Sequence, residues 1–179
     1  MKTVFFDIDS QLDFLYPAGA LYVPNAERIV PAIARLNRFA AAHGFPVVST
    51  TDAHTEDDPE FSLWPPHCVA GTWGQRKAEA TLVDGTSQII VEKQTVDVFL
   101  SPNLVRVVER LNADRYVVYG VVTEICVLHA VRGLLRTGKP VTLVTDAVAA
   151  LTAEASARAL AEVRAGGGTL ATVSEIYLM

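Results

Sequence analysis

The hydrophobic positions of this chain fall into short runs separated by longer periodic stretches. Six runs rich in β-branched or aromatic residues predict strands: Val4–Ile8, Pro46–Thr51, Gln88–Glu92, Arg115–Tyr119, Val141–Thr145 and Thr169–Val173. Several runs are apolar at consecutive positions, which is typical of strands in a parallel sheet covered by helices on both faces. The alternation of strand and helix patterns therefore predicts an open α/β sandwich.

Helical periodicity fills most of the gaps between the runs, and polar residues mark where helices begin. We expect N-caps at Asn25, Thr123 and Thr152, and a further helix start at Ser101-Pro102. The stretch from Ala53 to about Ser87 shows no periodicity and is rich in Pro, Gly, Asp and Trp. A loop of this length in a compact domain is usually functional.

Composition limits the size and the partners of the fold. The chain has 179 residues, of which 50% are hydrophobic and 20% charged, so we expect one domain spanning residues 1–179. The formal net charge of −5 disfavours binding to nucleic acid or to an anionic membrane surface. A small-molecule ligand is the expected partner.

Cysteine usage and the chain start bear on location. The two cysteines, Cys68 and Cys126, are too few for a disulfide framework, which fits a reducing compartment. The first residues soon become acidic, and no apolar segment approaches the ~20 residues of a membrane span. We therefore expect neither a signal peptide nor an anchor, and a cytoplasmic location.

Residues capable of chemistry follow four of the predicted strands. Asp9 follows the first strand, Asp52 and His54 the second, Lys93 the third, and the turn from Gly120 to Cys126 the fourth. In open parallel sheets ligands bind beyond the carboxyl ends of the strands. The four strand ends therefore predict one site at this edge of the sheet.

Cys126 is the candidate nucleophile. With Thr123 as the helix cap, Cys126 lies in the first helical turn, where free N–H groups and the helix dipole are expected to lower the pKa of its thiol. The backbone N–H groups of Val122 and Cys126 are the candidate donors to an oxyanion. A buried structural cysteine is the alternative, and it is the interpretation we adopt for Cys68.

Asp9 and Lys93 are the expected partners of this thiol. A nearby carboxylate can take the thiol proton, and an ammonium group beside both keeps the carboxylate ionised. Asp7 projects on the same side of an extended strand and competes with Asp9 for this role.

A second constellation consists of Asp52, His54 and His67. One carboxylate and two imidazoles suit Zn²⁺, Fe²⁺ or Mn²⁺, with positions left open for water and substrate. Four acidic residues of the loop compete for a fourth ligand position, and spacing does not choose among Glu56, Asp57, Asp58 and Glu60. Either histidine taken alone has a simpler interpretation, as a partner of the loop backbone.

Two aromatic residues lie near these groups in sequence. Phe14 and Trp64 are the candidate walls for a flat ring substrate, which can stack between aromatic side chains. Core packing is the alternative for Phe14, whereas Trp64 lies in a proline-rich loop.

Three segments carry a family resemblance over essentially the whole chain. Asp9-Ser-Gln11-Leu-Asp13-Phe14, Lys93, and the turn Gly120-Val-Val-Thr-Glu-Ile-Cys126-Val127 resemble the isochorismatase-like cysteine hydrolases. Asp52-x-His54 followed by Trp64-Pro-Pro-His67-Cys68 resembles the nicotinamidase branch. Metal-free branches of the superfamily generally lack this Asp-His-His set.

The resemblance implies a fold and an activity. It implies a three-layer sandwich with a six-stranded parallel sheet, and a catalytic triad of Asp9, Lys93 and Cys126. It also implies a divalent metal on Asp52, His54 and His67, with zinc as the first expectation and iron or manganese as alternatives. The implied reaction is hydrolysis of nicotinamide to nicotinate and ammonia within pyridine-nucleotide salvage.

Further implications of the resemblance concern the site's details. The pyridine nitrogen would face the metal, the ring would pack near Phe14 and Trp64, and a non-proline cis peptide would fall around Val121-Val122. Oligomers are common in the family, so a homo-oligomer is an option that the sequence leaves open.

The chain departs from the nicotinamidase pattern in three places. The turn reads T-E-I-C where T-D-x-C is common, and Leu12 stands where Asn is common. The metal loop, which is the segment from Asp52 to His67 that carries the implied ligands, is short. Three alternatives therefore stay open: an amidase for another small substrate, a metal-independent hydrolase of the superfamily, and a binding domain without catalysis.

Overall fold

The computed structural model describes residues 1–84 and 88–178, and within them six strands form one parallel sheet. The strands are β1 (Thr3–Ile8), β2 (Val47–Asp52), β3 (Gln88–Lys93), β4 (Arg115–Val121), β5 (Val141–Ala149) and β6 (Thr169–Ala171). Their order across the sheet is β3-β2-β1-β4-β5-β6. The predicted α/β sandwich is confirmed, with each strand at the place that its apolar run indicated.

The first five α-helices lie between strands along the chain, and the sixth follows the last strand. They are α1 (Leu12–Leu15), α2 (Val30–Ala42), α3 (Pro102–Leu111), α4 (Leu128–Leu135), α5 (Ala153–Ala165) and α6 (Val173–Ile176). None of the helices in the described part of the chain is long and apolar enough to cross a membrane.

Each face of the sheet has its own hydrophobic core. On one face Phe5 and Tyr119 pack against α2 and α6, and on the other Phe6 and Val118 pack against α3, α4 and α5. Alternate residues of one strand thus enter opposite cores, as the pleat requires. Burial on both faces explains why the strands are apolar at consecutive positions.

Several predicted boundaries were wrong. Asn25 does not cap a helix: its φ is 61°, its side chain makes no capping bond to the described residues, and a 3₁₀ turn over Ala26–Ile29 precedes α2. β5 continues to Ala149, because the register shifts by a bulge and lets the strand pair again with Gly120 and Val121. The predicted loop end at Ser87 lies outside the described residues.

The chain reverses direction across the sheet between β1 and β4. From β1 it moves outward through β2 to β3, returns to β4 on the other side of β1, and continues outward to β6. A crevice forms at such a switch point because the connections leave the neighbouring strand ends on opposite sides. Asp9 and the turn after β4 lie at this crevice.

Gly120 allows β1 and β4 to approach closely at the crevice. Its φ is +121°, and a Cβ at this position would lie 2.1 Å from the carbonyl oxygen of Ile8. We expect Gly120→Ala to lower the free energy of unfolding by about 2–4 kcal/mol, through a steric clash and an unfavourable φ. Urea denaturation measures this loss.

Gly44→Ala is the matched control. Gly44 also has a positive φ, +70°, but no atom of the described residues lies within 4 Å of the added Cβ. Its substitution should cost only about 1 kcal/mol. Equal losses in the two variants would contradict the close approach of β1 and β4.

Candidate active site

The ends of β1, β3 and the turn after β4 bring Asp9, Lys93 and Cys126 together. Lys93 Nζ lies 2.9 Å from Asp9 Oδ2 and 3.8 Å from Cys126 Sγ. All three residues are almost completely buried. An ammonium group therefore contacts both the candidate base and the candidate nucleophile.

Asp9 is held rigidly by the neighbouring strand. Its backbone N–H donates to the Thr50 carbonyl at 3.1 Å, and the Thr50 hydroxyl donates to Asp9 Oδ1 at 2.6 Å. The φ of Asp9 is 48°, which turns the chain out of β1 at this residue. The carboxylate thus faces Lys93 in one orientation.

Burial sets the protonation of the three groups. It raises the pKa of Asp9, against the opposing effect of Lys93, and Asp52 raises it further. Burial alone would lower the pKa of Lys93, but Asp9, Cys126 and Asp52 raise it well above its usual range. Lys93 is therefore an ammonium, and the Asp9 carboxylate is a stronger base than an exposed aspartate.

The expectation of a lowered thiol pKa was wrong. Burial raises the pKa of Cys126 well above that of a free thiol, and the nearby Lys93 opposes this only in part. A buried thiolate loses more hydration energy than one ammonium group returns, and the nearby Asp9 and Asp52 carboxylates disfavour a further negative charge. In the resting protein the nucleophile is a thiol, so its attack requires a base.

The local structure around Cys126 also differs from the prediction. Thr123–Val127 form a single π-helical turn that continues into α4, and Val122 is the residue preceding it. Thr123 is inside the turn, and its buried hydroxyl has no partner among the described residues, so it does not cap the helix. The Val121–Val122 peptide is cis.

Asp52, His54 and His67 form a compact cluster beside the triad. One ligand atom from each lies within 4.8 Å of the others, and all three residues are buried. Lys93 also contacts Asp52 Oδ1. Asp52 Oδ2, in turn, lies 3.9 Å from His54 Nε2. Asp52 thus joins the cluster to the triad.

The two imidazoles present their Nε2 atoms to the cluster. His67 Nδ1 donates to the Pro65 carbonyl at 2.8 Å, and His54 Nδ1 donates to Asp58 Oδ2 at 3.0 Å. His54 Nε2 is fully buried and has no hydrogen-bond partner among the described residues. An unsatisfied buried nitrogen between a carboxylate and a second imidazole fits a divalent metal ion.

The protonation of His54 responds to the same carboxylates. Burial would lower its pKa, but Asp52 and Asp58 raise it to about 9. The carboxylates that attract a proton to this ring would equally attract a metal cation.

The four acidic residues of the loop have different environments in the folded chain. Asp58 is buried on His54, whereas Glu56 and Asp57 are exposed. Glu60 lines the cavity with Asp52, and burial raises the pKa of its carboxyl group. Asp58 thus orients a histidine, and Glu60 is the loop carboxylate left facing the cluster.

A mostly apolar cavity opens above both groups. It encloses about 460 Å³ of space, part of which is open solvent. The lining residues are Phe14, Leu21, Val23, Asp52, Glu60, Trp64, His67, Val96, Val121, Val122, Ile125, Cys126 and Leu151. The predicted wall residues Phe14 and Trp64 are both among them, as are the predicted oxyanion donors Val122 and Cys126.

Two polar residues that hold the metal loop had no assigned role in the sequence analysis. The side-chain oxygen of Gln11 accepts a hydrogen bond from the Asp52 N–H at 2.7 Å, and its side-chain nitrogen donates to the Asp52 carbonyl at 2.8 Å. Asp13 Oδ2 accepts the Cys68 N–H at 2.7 Å, next to His67. Both residues belong to the segment that follows β1 and begins at Asp9. Polar residues buried just after a strand need hydrogen-bond partners, and this requirement could have indicated their role.

Asp7 is excluded as the base. It faces the other way, where it contacts Lys77 and accepts a hydrogen bond from Asn37 at 2.7 Å. Cys68 is fully buried, burial raises the pKa of its thiol, and it has no basic partner among the described residues. Of the two buried thiols, only Cys126 lines the cavity.

Comparison with known proteins bears on this arrangement. The family model for the isochorismatase domain matches residues 3–175. The chain belongs to the isochorismatase family. Nicotinamidase of Escherichia coli is 26% identical to this chain, and the alignment covers 94% of this chain and 93% of that protein.

Two other relatives are informative. N-carbamoylsarcosine amidase of an Arthrobacter species is 26% identical, over 73% of this chain and 53% of that protein. The crystal structure of pyrazinamidase of Pyrococcus horikoshii in complex with zinc matches with a TM-score of 0.87 at 29% identity, covering 96% and 99% of the two chains. These relatives indicate that this family member is an amide hydrolase.

Asp58 provides a test of the metal cluster. We expect Asp58→Asn to weaken zinc binding by about 10–100-fold, because the amide orients His54 without the charge that makes its Nε2 a better ligand. Competition titration against a chromophoric chelator measures the affinity directly. Asp57→Asn, at the exposed neighbouring position, should bind zinc as the wild type does. Similar zinc affinity in both variants would contradict the role of Asp58.

Proposed function

We propose that this protein is a nicotinamidase, which hydrolyses nicotinamide to nicotinate and ammonia through a thioester on Cys126. The observation that carries the proposal is that one mostly apolar cavity is lined both by Cys126 and by Asp52 and His67 of the Asp52-His54-His67 cluster. A ring amide in this cavity can present its carbonyl carbon to the thiol while its ring nitrogen faces the cluster. The reaction belongs to pyridine-nucleotide salvage.

Asp9 is the general base for the first half of the reaction. It takes the Cys126 proton as Sγ attacks the amide carbon, and the N–H groups of Val122 and Cys126 stabilise the resulting oxyanion. The tetrahedral intermediate collapses with cleavage of the C–N bond. Asp9 returns its proton to the leaving nitrogen, and ammonia departs.

Water completes the reaction. Asp9, again a carboxylate, removes a proton as the water attacks the thioester carbon, and Sγ leaves and regains a proton. Lys93 keeps its positive charge throughout, which stabilises the Asp9 carboxylate beforehand and the sulfur anion as the thioester breaks. One carboxylate therefore serves both halves of the cycle.

Asp52, His54 and His67 would hold a divalent metal ion. One carboxylate and two imidazoles form a zinc-type ligand set, and zinc is present in the structure of the Pyrococcus horikoshii relative. When bound, the ion supplies a Lewis-acid site for the ring nitrogen and for water. Iron and manganese are the alternative ions.

A second candidate substrate class is suggested by the N-carbamoylsarcosine amidase relative. Such a substrate carries a carboxylate, which requires a cationic partner in its site. The described side chains that line the cavity include Asp52 and Glu60 but neither Lys nor Arg. Lys93 beneath them is already paired with Asp9 and Asp52. Apart from the proposed metal ion, the described lining offers no free cation to a substrate carboxylate, which favours a neutral amide.

Ammonia release from nicotinamide is the direct test. We expect the purified protein to release ammonia, and Cys126→Ala to abolish the release because no other residue of the described cavity lining can form the thioester. Asp9→Asn should lower kcat by about 10²–10⁴. A chelator should remove activity, and added zinc, iron or manganese should restore it.

Cys68→Ala is the matched control, because it removes the other buried thiol, which does not line the cavity. It should retain turnover. Ammonia release that survives complete metal removal would be consistent with a cysteine hydrolase but would refute the metal-dependent mechanism. A folded, metal-loaded protein without any release would refute nicotinamide as the substrate.

Substrate charge separates the two candidate classes. We expect nicotinamide and pyrazinamide to be hydrolysed at least about tenfold faster, in kcat/KM, than N-carbamoylsarcosine, since burying an unpaired carboxylate costs more than 1.4 kcal/mol. Coupled measurement of ammonia gives all three values. Faster hydrolysis of N-carbamoylsarcosine would assign the protein to the second class.

A further inference from the structure

Leu151 forms part of the rim of the cavity. Its side chain lines the cavity, yet Leu151 is 37% exposed, so it lies at the boundary with solvent. It occupies the short connection between Ala149, where β5 ends, and Thr152, the N-cap of α5. A residue in such a connection is placed by its hydrogen bonds rather than by a regular element.

Glu124 supplies that hydrogen bond. Its Oε1 accepts the backbone N–H of Leu151 at 2.9 Å. Glu124 belongs to the π-helical turn that carries Cys126, two residues before the nucleophile. One side chain therefore links the segment that carries the nucleophile to the rim of the cavity.

The environment of the second carboxylate oxygen of Glu124 shows that Leu151 does not compete with other described groups for hydrogen bonds to this carboxylate. Oε2 is buried and has no hydrogen-bond partner among the described residues. The Leu151 N–H is the one hydrogen-bond donor to this carboxylate in the described part of the chain.

We propose that Glu124 and Leu151 together determine the size of the accepted ring. Glu124 positions the rim, and Leu151 is the wall that restricts the substrate to a single six-membered ring. The inference rests on the proposed hydrolysis of a ring amide, and it adds the residues that exclude larger rings. Releasing the Glu124 bond frees the rim and enlarges the cavity mouth.

Four substitutions separate the hydrogen bond from the charge. Glu124→Gln keeps the chain length and an oxygen acceptor but removes the charge, whereas Glu124→Asp keeps the charge and is one methylene too short to reach Leu151. Glu124→Ala removes both, and Leu151→Ala removes the wall itself. Glu154→Gln is the control, an exposed acidic residue in the first turn of α5.

The readout is the ratio of kcat/KM for quinoline-3-carboxamide, which has two fused rings, to that for nicotinamide. We expect this ratio to rise about tenfold in Leu151→Ala, Glu124→Asp and Glu124→Ala, in line with the effect of one wall group in an apolar pocket. The KM for nicotinamide should rise in the same variants. The ratio should stay within about twofold of wild type in Glu124→Gln and Glu154→Gln.

Two outcomes overturn the inference while leaving nicotinamide hydrolysis intact. An unchanged ratio in Leu151→Ala shows that Leu151 is not a wall against larger rings. A raised ratio in Glu124→Gln together with a normal ratio in Glu124→Asp shows that charge, and not the bond to Leu151, is responsible.

Alkylation of Cys126 tests the same rim without any substrate. The rates with N-(1-pyrenyl)maleimide and iodoacetamide are followed by intact mass, and peptide mapping separates Cys126 from the fully buried Cys68. The ratio of the large to the small reagent should rise about tenfold in Leu151→Ala and Glu124→Asp and stay near wild type in Glu124→Gln. If wild type does not hydrolyse nicotinamide, this ratio decides the inference alone, and equal ratios in all variants refute it.

Discussion

The buried ammonium group of Lys93 is the interaction on which the site depends. It contacts Asp9, Asp52 and the Cys126 sulfur beneath the cavity, where the side chains are almost completely buried. Two carboxylates could not both remain ionised there without a cation, and a lysine could not remain charged without carboxylates. Removal of one partner from a buried ion pair typically destabilises a protein by about 3–5 kcal/mol.

This shared cation joins two kinds of chemistry. Asp9 faces the thiol, whereas Asp52 faces His54 and His67, and Lys93 lies between them. The charge that keeps Asp9 available as a base also keeps Asp52 available as an anionic ligand. A substrate above them meets a nucleophile on one side and the imidazole cluster on the other, with the apolar walls of the cavity around it.

The sheet provides this arrangement at a place where the backbone leaves room for a ligand. β1 and β4 are neighbours, but their connections depart to opposite sides of the crevice. The long loop after β2 then returns over the strand ends, where Gln11 and Asp13 hold its backbone. The rigid sheet orients the triad, and hydrogen bonds rather than regular structure orient the loop.

The sequence by itself determined the fold class and the strand positions. Strands buried on both faces must be apolar at consecutive positions. The sequence therefore predicts that Phe5 and Phe6 are both buried, although they enter the cores on opposite faces of the sheet. Motif spacing also singled out the residues that the structure brings together, because the carboxyl ends of parallel strands share one edge. The sequence did not decide whether Asp7 or Asp9 is the general base. Both lie at one strand end, and only their contacts separate them.

Tertiary structure decided whatever depends on groups distant in sequence. The helix start at Cys126 indicated a lowered thiol pKa, but burial raises it, since desolvation depends on every element packed around the sulfur. The roles of Asp58 and Glu60 were decided by which of them the folded loop turns toward His54. Leu151 carries no motif at all. Its place on the rim follows from a hydrogen bond to Glu124, 27 positions earlier in the chain, which only the folded chain brings within reach.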